Sequence, residues 1–160
     1  CLTTDEGLAR VDDQLSSMDP AQLDELRGRL RIGVHSDVEV TNEGAGHRVS
    51  QAYCSTLPVS YNRIQRPAKW TRFATLVLEA SYEATLLSAV LNMQQHGSPL
   101  VYLTRVGGGA FGNDGRWIAA AMRRALYSTQ RAGLDVRIVS YSTPAPDMLD
   151  LAYELSAVTE

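Results

Sequence analysis

Cysteine is scarce in this chain. Cys1 and Cys54 are the two in 160 residues. They sit at no metal-ligand spacing and are too few to staple a small secreted fold, so the expected setting is reducing and cytoplasmic. An excess of one charge is also missing: 15 Lys and Arg against 18 Asp and Glu, net −3 and interspersed. That argues against a nucleic-acid partner, which would need a basic stripe. Long uninterrupted apolar runs are absent too. The most apolar segment, Leu76 to Leu91, is broken by Glu79 and Glu83, so it is not read as a membrane span, and no basic-then-apolar leader opens the chain. Repeats and low-complexity tracts are lacking as well. The chain opens CLTTDEG with no initiator Met. The expectation is a fragment whose N-terminal portion is missing. At 44% hydrophobic, what remains suffices for one modest core, a single domain over 1–160.

Thr3 and Glu6 have capping-box spacing, and Leu8, Val11, Leu15 and Met18 follow at helical intervals, predicting a helix from about Thr4 to Ser17. Asp19-Pro20 starts a second helix with Leu23, Leu26 and Leu30 on one face and Gly33 as its stop. VHSDVEV, Val34 to Val40, reads as a short strand. After the polar turn TNEGAGHR, VSQAYCSTLPV reads as a buried strand ending at Pro58. A helix over Ala68 to Gln95 follows, closed by His96-Gly97. PLVYLTRV then reads as a strand covered on both faces. Asp114 can cap a helix from Gly115 to about Arg131, with Ile118, Met122, Ala125, Leu126 and Thr129 inward. DVRIVSY is a further strand, and Asp147 to Val158 a last helix. From Val49 the order strand, helix, strand, helix, strand, helix predicts an α/β fold with a mostly parallel sheet.

The segment LTRVGGGAFGNDGRW, Leu103 to Trp117, leaves the apolar strand through four glycines in six positions. Glycine loses the most conformational freedom on folding, so this density implies close approach to the backbone. In parallel sheets ligands bind beyond the carboxyl ends of the strands, where loops feed helices. Amides of Gly107, Gly108, Gly109, Ala110, Phe111, Gly112 and Asn113, with the following helix N-terminus, could meet a phosphate, and Phe111 offers a flat apolar surface. A tight connection with no ligand is the competing reading. Gly107, Gly109 and Gly112 also satisfy G-x-G-x-x-G, with Asp135 about twenty residues on, the spacing of a dinucleotide fingerprint. Asp135 precedes its strand, however, and Asn113-Asp114-Gly115 delays the helix. That keeps a nicotinamide-dependent Rossmann-type oxidoreductase as an alternative.

Taken together, VSQAYCSTLPV, the helix ending YEATLLSAVLNMQQHG, PLVYLTRVGGGAFGN, a helix and DVRIVSY resemble the C-terminal half of a macrodomain, the ADP-ribose-binding family. The likeness spans about Val49 to Ser142. It implies a three-layer α/β/α domain with a mixed, mostly parallel sheet, incomplete at its N-terminus. Gly109-Ala110-Phe111-Gly112 would stand where that family wraps the diphosphate. Tyr141 and Ser142 would lie where it touches the ribose or adenine end. RIGVHSDVEVT, YCSTLPVSY, VLEASYEATLLSAVLN and GGGAFGND are similar to a divergent branch known from a bacterial effector that removes ADP-ribose from ubiquitin. The Asn-Ala-Asn segment and first glycine-rich loop of typical macrodomains are not in this sequence. The resemblance implies ADP-ribose as ligand or substrate with no separate cofactor or metal, and ADP-ribosylated protein, with ubiquitin one candidate, as partner. It implies an ADP-ribosyl-protein hydrolase or a non-catalytic reader.

Hydrolysis at an anomeric carbon needs a carboxylate to orient or activate water. GVHSDVEV offers His35, Asp37 and Glu39, and a regular strand would turn all three to one face. A solvated hairpin face is the competing reading, and as metal ligands one His with two acids is a weak signal. Glu79 and Glu83 read as a solvated helix stripe, Cys54 as a core thiol, Cys1 as a boundary residue and His47 as exposed. Arg116, Arg123, Arg124 and Arg131 read as a solvated basic helix face, with Arg116 near enough to the loop to touch phosphate.

Overall fold

The computed structural model describes residues 3–42, 44–61 and 67–156. Helix α1, Asp5–Ser17, starts where Thr4 Oγ1 accepts the Gly7 N–H at 3.1 Å. The cap is therefore Thr4 and not Thr3, and the expected capping box does not form, because the third helical residue is then Gly7, which has no side chain to reciprocate. Helix α2, Pro20–Gly28, has the reciprocal capping box that Asp19 and Gln22 allow, both bonds at 2.9 Å. It ends at Gly28 and not at Gly33, because the Arg29 and Leu30 amides already close its last turn on Leu26 and Arg27. Helix α3 runs from Pro67 to His96 and is stopped by Gly97, whose φ of +78° suits glycine at a helix end. Helix α4, Gly115–Thr129, begins with the Asp114 carboxylate accepting the Arg116 N–H at 2.8 Å. Helix α5 spans Pro146–Ser156.

The protein is mixed α/β, and its described strands form two separate pairs. β1, Gly33–Glu39, and β2, Arg48–Tyr53, make an antiparallel hairpin. β3, Leu100–Leu103, and β4, Asp135–Ile138, pair in parallel across α4. Three expectations are corrected here. β2 is not a member of the parallel sheet, because the turn from β1 is too short for a crossover and holds the two strands antiparallel. β2 is not buried: Val49 is 36% and Tyr53 56% exposed. β3 is not covered on both faces. It alternates, with Val101 and Leu103 buried and Leu100 and Tyr102 exposed, the pattern of a strand open on one side.

The main core lies among α3, α4, α5 and the inner face of β3. Leu78, Leu86, Ile118, Ala121, Met122, Ala125 and Leu151 are each fully buried there. α1 packs on the opening turns of α3 through Leu8, Leu15 and Trp70. Glu79 and Glu83 are not a solvated stripe. Arg27 holds Glu79 at 2.7 Å, Arg124 holds Glu83, and Asp24 bridges both arginines at 2.6 Å. One charged network therefore ties α2, α3 and α4. This also answers the like-charge spacing on α3, since each acid has its own cation. By length and composition α3 is apolar enough to cross a membrane, yet it is the element on which α1, α2 and α4 all pack.

Candidate functional site

β3 and β4 are parallel, so their carboxyl ends open on the same edge of the pair. The glycine loop leaves β3 there, and Tyr141 and Ser142 follow β4 on that edge. The exit of β3 is fixed from below by Tyr82. This buried phenol donates to the Thr104 carbonyl at 2.8 Å and accepts the Val106 N–H at 3.0 Å. Burial pushes its ionisation well above the ordinary value near 10. Sequence reasoning missed Tyr82, which looked like one more residue of a long apolar helix.

The loop divides into a seated part and a presented part. Gly107 and Gly112 both have positive φ, +80° and +67°. A Cβ on Gly107 would fall on Thr56 Oγ1, and one on Gly112 on Ser60 Oγ. These glycines are therefore required where the loop lies against the Thr56–Ser60 segment. The seat is completed by buried Asn113, whose side-chain amide donates to Thr56 Oγ1, the Leu57 carbonyl and the Gly107 carbonyl at 3.0–3.2 Å. The amides of Gly108, Gly112 and Asn113 bond to the carbonyls of Arg105, Gly109 and Gly107. Ser60 N–H closes on the Phe111 carbonyl at 3.0 Å, and the Phe111 and Tyr61 rings meet edge to face at 5.6 Å.

The presented part is the arc Gly109–Ala110–Phe111. Its amides make no hydrogen bond among the described residues, Gly109 and Ala110 are exposed, and a Cβ on Gly109 would meet nothing within 4 Å. Of the seven loop residues expected to line the ligand, this arc is open to one, while Gly107, Gly112 and Asn113 are engaged with the protein itself. Arg105 flanks the loop. Its guanidinium reaches Asp147 at 3.3 Å, and its Nε is buried without a partner. Arg116 is bound to Asp114 at 2.7 and 3.1 Å, and this pairing holds the Asp114 carboxyl below its usual range. Arg105 was passed over in the sequence, although a cation two residues before the first glycine was the available signal. Tyr141 is fully open to solvent and Ser142 is exposed.

His35, Asp37 and Glu39 do not share a face. The ladder pairs His35 with Gln51 and Glu39 with Arg48. Directly paired residues share a face, and Gln51 and Arg48 are three apart on β2, so His35 and Glu39 point to opposite sides. The cause is a bulge between His35 and Val38, where Asp37 takes a φ of +53°. Asp37 pairs with Arg48 at 2.9 Å, and its N–H donates to Ser50 Oγ at 3.1 Å. Of the three, only Asp37 lines the cavity of about 940 Å³ that lies between β2 and β3 over α3 and reaches Thr104 and Val106 at the foot of the loop.

Cys54 lies just past β2, half-buried beside Thr85, and burial raises its thiol pKa, as befits an unreactive thiol. His47 is exposed and bonds the Ala45 carbonyl. Arg123 and Arg124 belong to ion pairs with Glu154 and Glu83 and not to a solvated face. Cys1 lies outside the described residues. Among the described residues no group of three His, Cys, Asp or Glu side chains is arranged to hold a metal. The chain matches no protein-family model, no curated protein and no solved structure.

Proposed function

We propose that the protein binds ADP-ribose or a related nucleoside diphosphate at the carboxyl edge of β3 and β4, as an incomplete macrodomain-like α/β/α unit. The observation that carries the reading is the arc Gly109–Phe111. Three consecutive amides make no hydrogen bond among the described residues, four to six positions before the start of α4, with open space over Gly109, an arrangement suited to an anion. Arg105 lies beside the loop, with its guanidinium paired to Asp147 at 3.3 Å. Phe111 and the exposed Tyr141 offer aromatic surface to the nucleoside.

Hydrolysis of ADP-ribosyl adducts on a protein, with ubiquitin as one candidate, is the chemistry proposed for this site. Asp37 is its candidate for orienting water, since it alone of the three expected residues faces the cavity below the loop. A non-catalytic reader is the second reading. The Arg48 partner of Asp37 favours it, because the carboxylate is already engaged by the guanidinium at 2.9 Å.

The test is calorimetric titration with ADP-ribose, ADP and NAD side by side. ADP-ribose is expected to bind at least tenfold more tightly than NAD; the reverse order would point to nicotinamide chemistry. Gly109→Val should abolish binding without lowering the melting temperature, since the backbone there needs no positive φ and the added side chain meets open space. Retained affinity in that variant would remove the arc from the site. Asp37→Asn that keeps ADP-ribose binding and loses hydrolysis of an ADP-ribosylated protein would separate enzyme from reader.

A further inference from the structure

The two strand pairs leave a gap with an unusual boundary. β2 is bonded on one side, to β1, and β3 on one side, to β4; no ladder joins β2 to β3. Both unpaired edges wall the same cavity, and α3 forms its floor. On β3 the direction of the free groups can be read from the parallel ladder. Asp135 N–H donates to the Pro99 carbonyl and Val139 N–H to the Leu103 carbonyl. In the evenly spaced parallel pattern, residues 99, 101 and 103 thus turn their backbone toward β4, and Leu100 and Tyr102 turn theirs toward the gap. An open edge on each side of one slot is a demand for backbone donors and acceptors that a small molecule does not match and a strand does.

The floor specifies the side chains of such a strand. Ser81, Thr85, Ser88, Ala89 and Asn92 line it, so side chains pointing toward α3 must be small. Ser81 is buried, and its hydroxyl has no hydrogen-bond partner among the described residues, an orphan of the kind that costs free energy. On the opposite side, Tyr53 and Tyr102 are 56% and 59% exposed and would flank outward apolar side chains. Among the described lining residues, Asp37 and Arg48 are paired with each other, so no unpaired carboxylate or guanidinium there selects a charged ligand, and His47 and His96 are exposed at the rim.

We infer that this slot takes an extended segment of a separate polypeptide. The segment would be uncharged, would alternate small residues toward α3 with apolar residues outward, and would complete one five-stranded sheet with β2 on one side and β3 on the other. This site is distinct from the anion arc, but it is the cavity that Asp37 lines, so a strand seated there excludes the hydrolytic role of Asp37 and is compatible with the reader.

The test selects seven-residue peptides from a random displayed library against the 160-residue protein and follows amide hydrogen exchange at single residues. In the free protein, the Leu100 and Tyr102 amides are expected to exchange at least a hundredfold faster than those of Val101 and Leu103. Selected peptides should share the small–apolar alternation, lack central proline, and slow Tyr102 exchange at least tenfold. N-methylation of the peptide amides facing β3 should weaken binding at least tenfold, a control that needs no protein variant. Ser88→Trp, checked for an unchanged melt, should block the same peptides. Slow Leu100 and Tyr102 exchange in the free protein would overturn the inference, since the slot would then be filled by a second copy if sedimentation gives a dimer, or by the protein's own chain if it gives a monomer. So would selected peptides that leave Tyr102 exchange unchanged.

Discussion

The βαβ region and the hairpin of this protein are stabilised in different ways. From α3 to α5, fully buried aliphatic side chains close a continuous core, and Leu86, Ile118 and Met122 have no exposed surface at all. The β1–β2 hairpin has no buried residue along either strand. Its described side-chain tie to the rest is polar: Ser50 Oγ donates to Asn92 Oδ1 of α3 at 2.6 Å. Secondary structure of similar regularity therefore has two sources here. Burial sets the first region, while ladder bonds and a single polar anchor set the second, and local stability should differ accordingly.

The largest effect that would sharpen this contrast is Leu86→Ala. Removing a fully buried leucine from the α3–α4 core should cost about 2–5 kcal/mol, read as a lower midpoint in urea at unchanged slope. Val49→Ala on the hairpin, 36% exposed, should stay within about 1 kcal/mol. Equal losses would erase the distinction between the two regions.

Next in size is Asn113→Ala, at the seam where the glycine loop lies on the chain leaving the hairpin. It strips partners from Thr56 Oγ1 and the Leu57 and Gly107 carbonyls together, so a loss of about 1–3 kcal/mol is expected. Because the seam joins the regions, exchange should quicken on both sides of it. A loss confined to the loop would mean that the seam couples nothing.

Tyr82→Phe should cost about 1–2 kcal/mol by taking the hydroxyl away from the Thr104 carbonyl and the Val106 amide, which keep only their bond to each other at 2.9 Å. It also has a pH signature. Burial raises the folded phenol above the unfolded value near 10, so the folded state holds this proton more tightly. Stability is then kept below that value and lost as pH climbs from it toward the folded pKa. The variant should lose part of the alkaline fall in stability seen in the parent. An identical alkaline profile would show that Tyr82 ionises freely.

The helices were legible because their signals are local. Asp19-Pro20 with Gln22, Asp114 before Gly115, and Gly97 after His96 each act within one turn. The parallel pairing of β3 and β4 was legible too, from a helix of crossover length between two short apolar runs. Strand partnership elsewhere was not, since β2 has the composition of a core strand and its exposure depends on what lies across the gap. At the site, glycine density correctly marked a close approach, but sequence could not say by what. At Gly107 and Gly112 it is by Thr56 and Ser60 of the same chain, which leaves the shorter arc at Gly109 for a ligand. The bulge at Asp37 was equally hidden. One left-handed residue reversed the face of Glu39 relative to His35, and no residue type in HSDVE demands it.

The smallest expected effect gives the sharpest test of the contrast, because it is local. Asn92→Ala removes the acceptor for Ser50 Oγ, which itself accepts the Asp37 N–H at the bulge. The chain from Asp37 through Ser50 to α3 would be cut at its far end, while every fully buried side chain of the core stays in place. The cost should be about 0.5–1.5 kcal/mol, charged to opening of the hairpin alone. Amides of β1 and β2 should then exchange up to about tenfold faster, while those of α3 and α4 keep the parent's rates and the global melt moves little. If α3 and α4 quicken in step, the hairpin opens only when the core does, and the two regions are one cooperative unit.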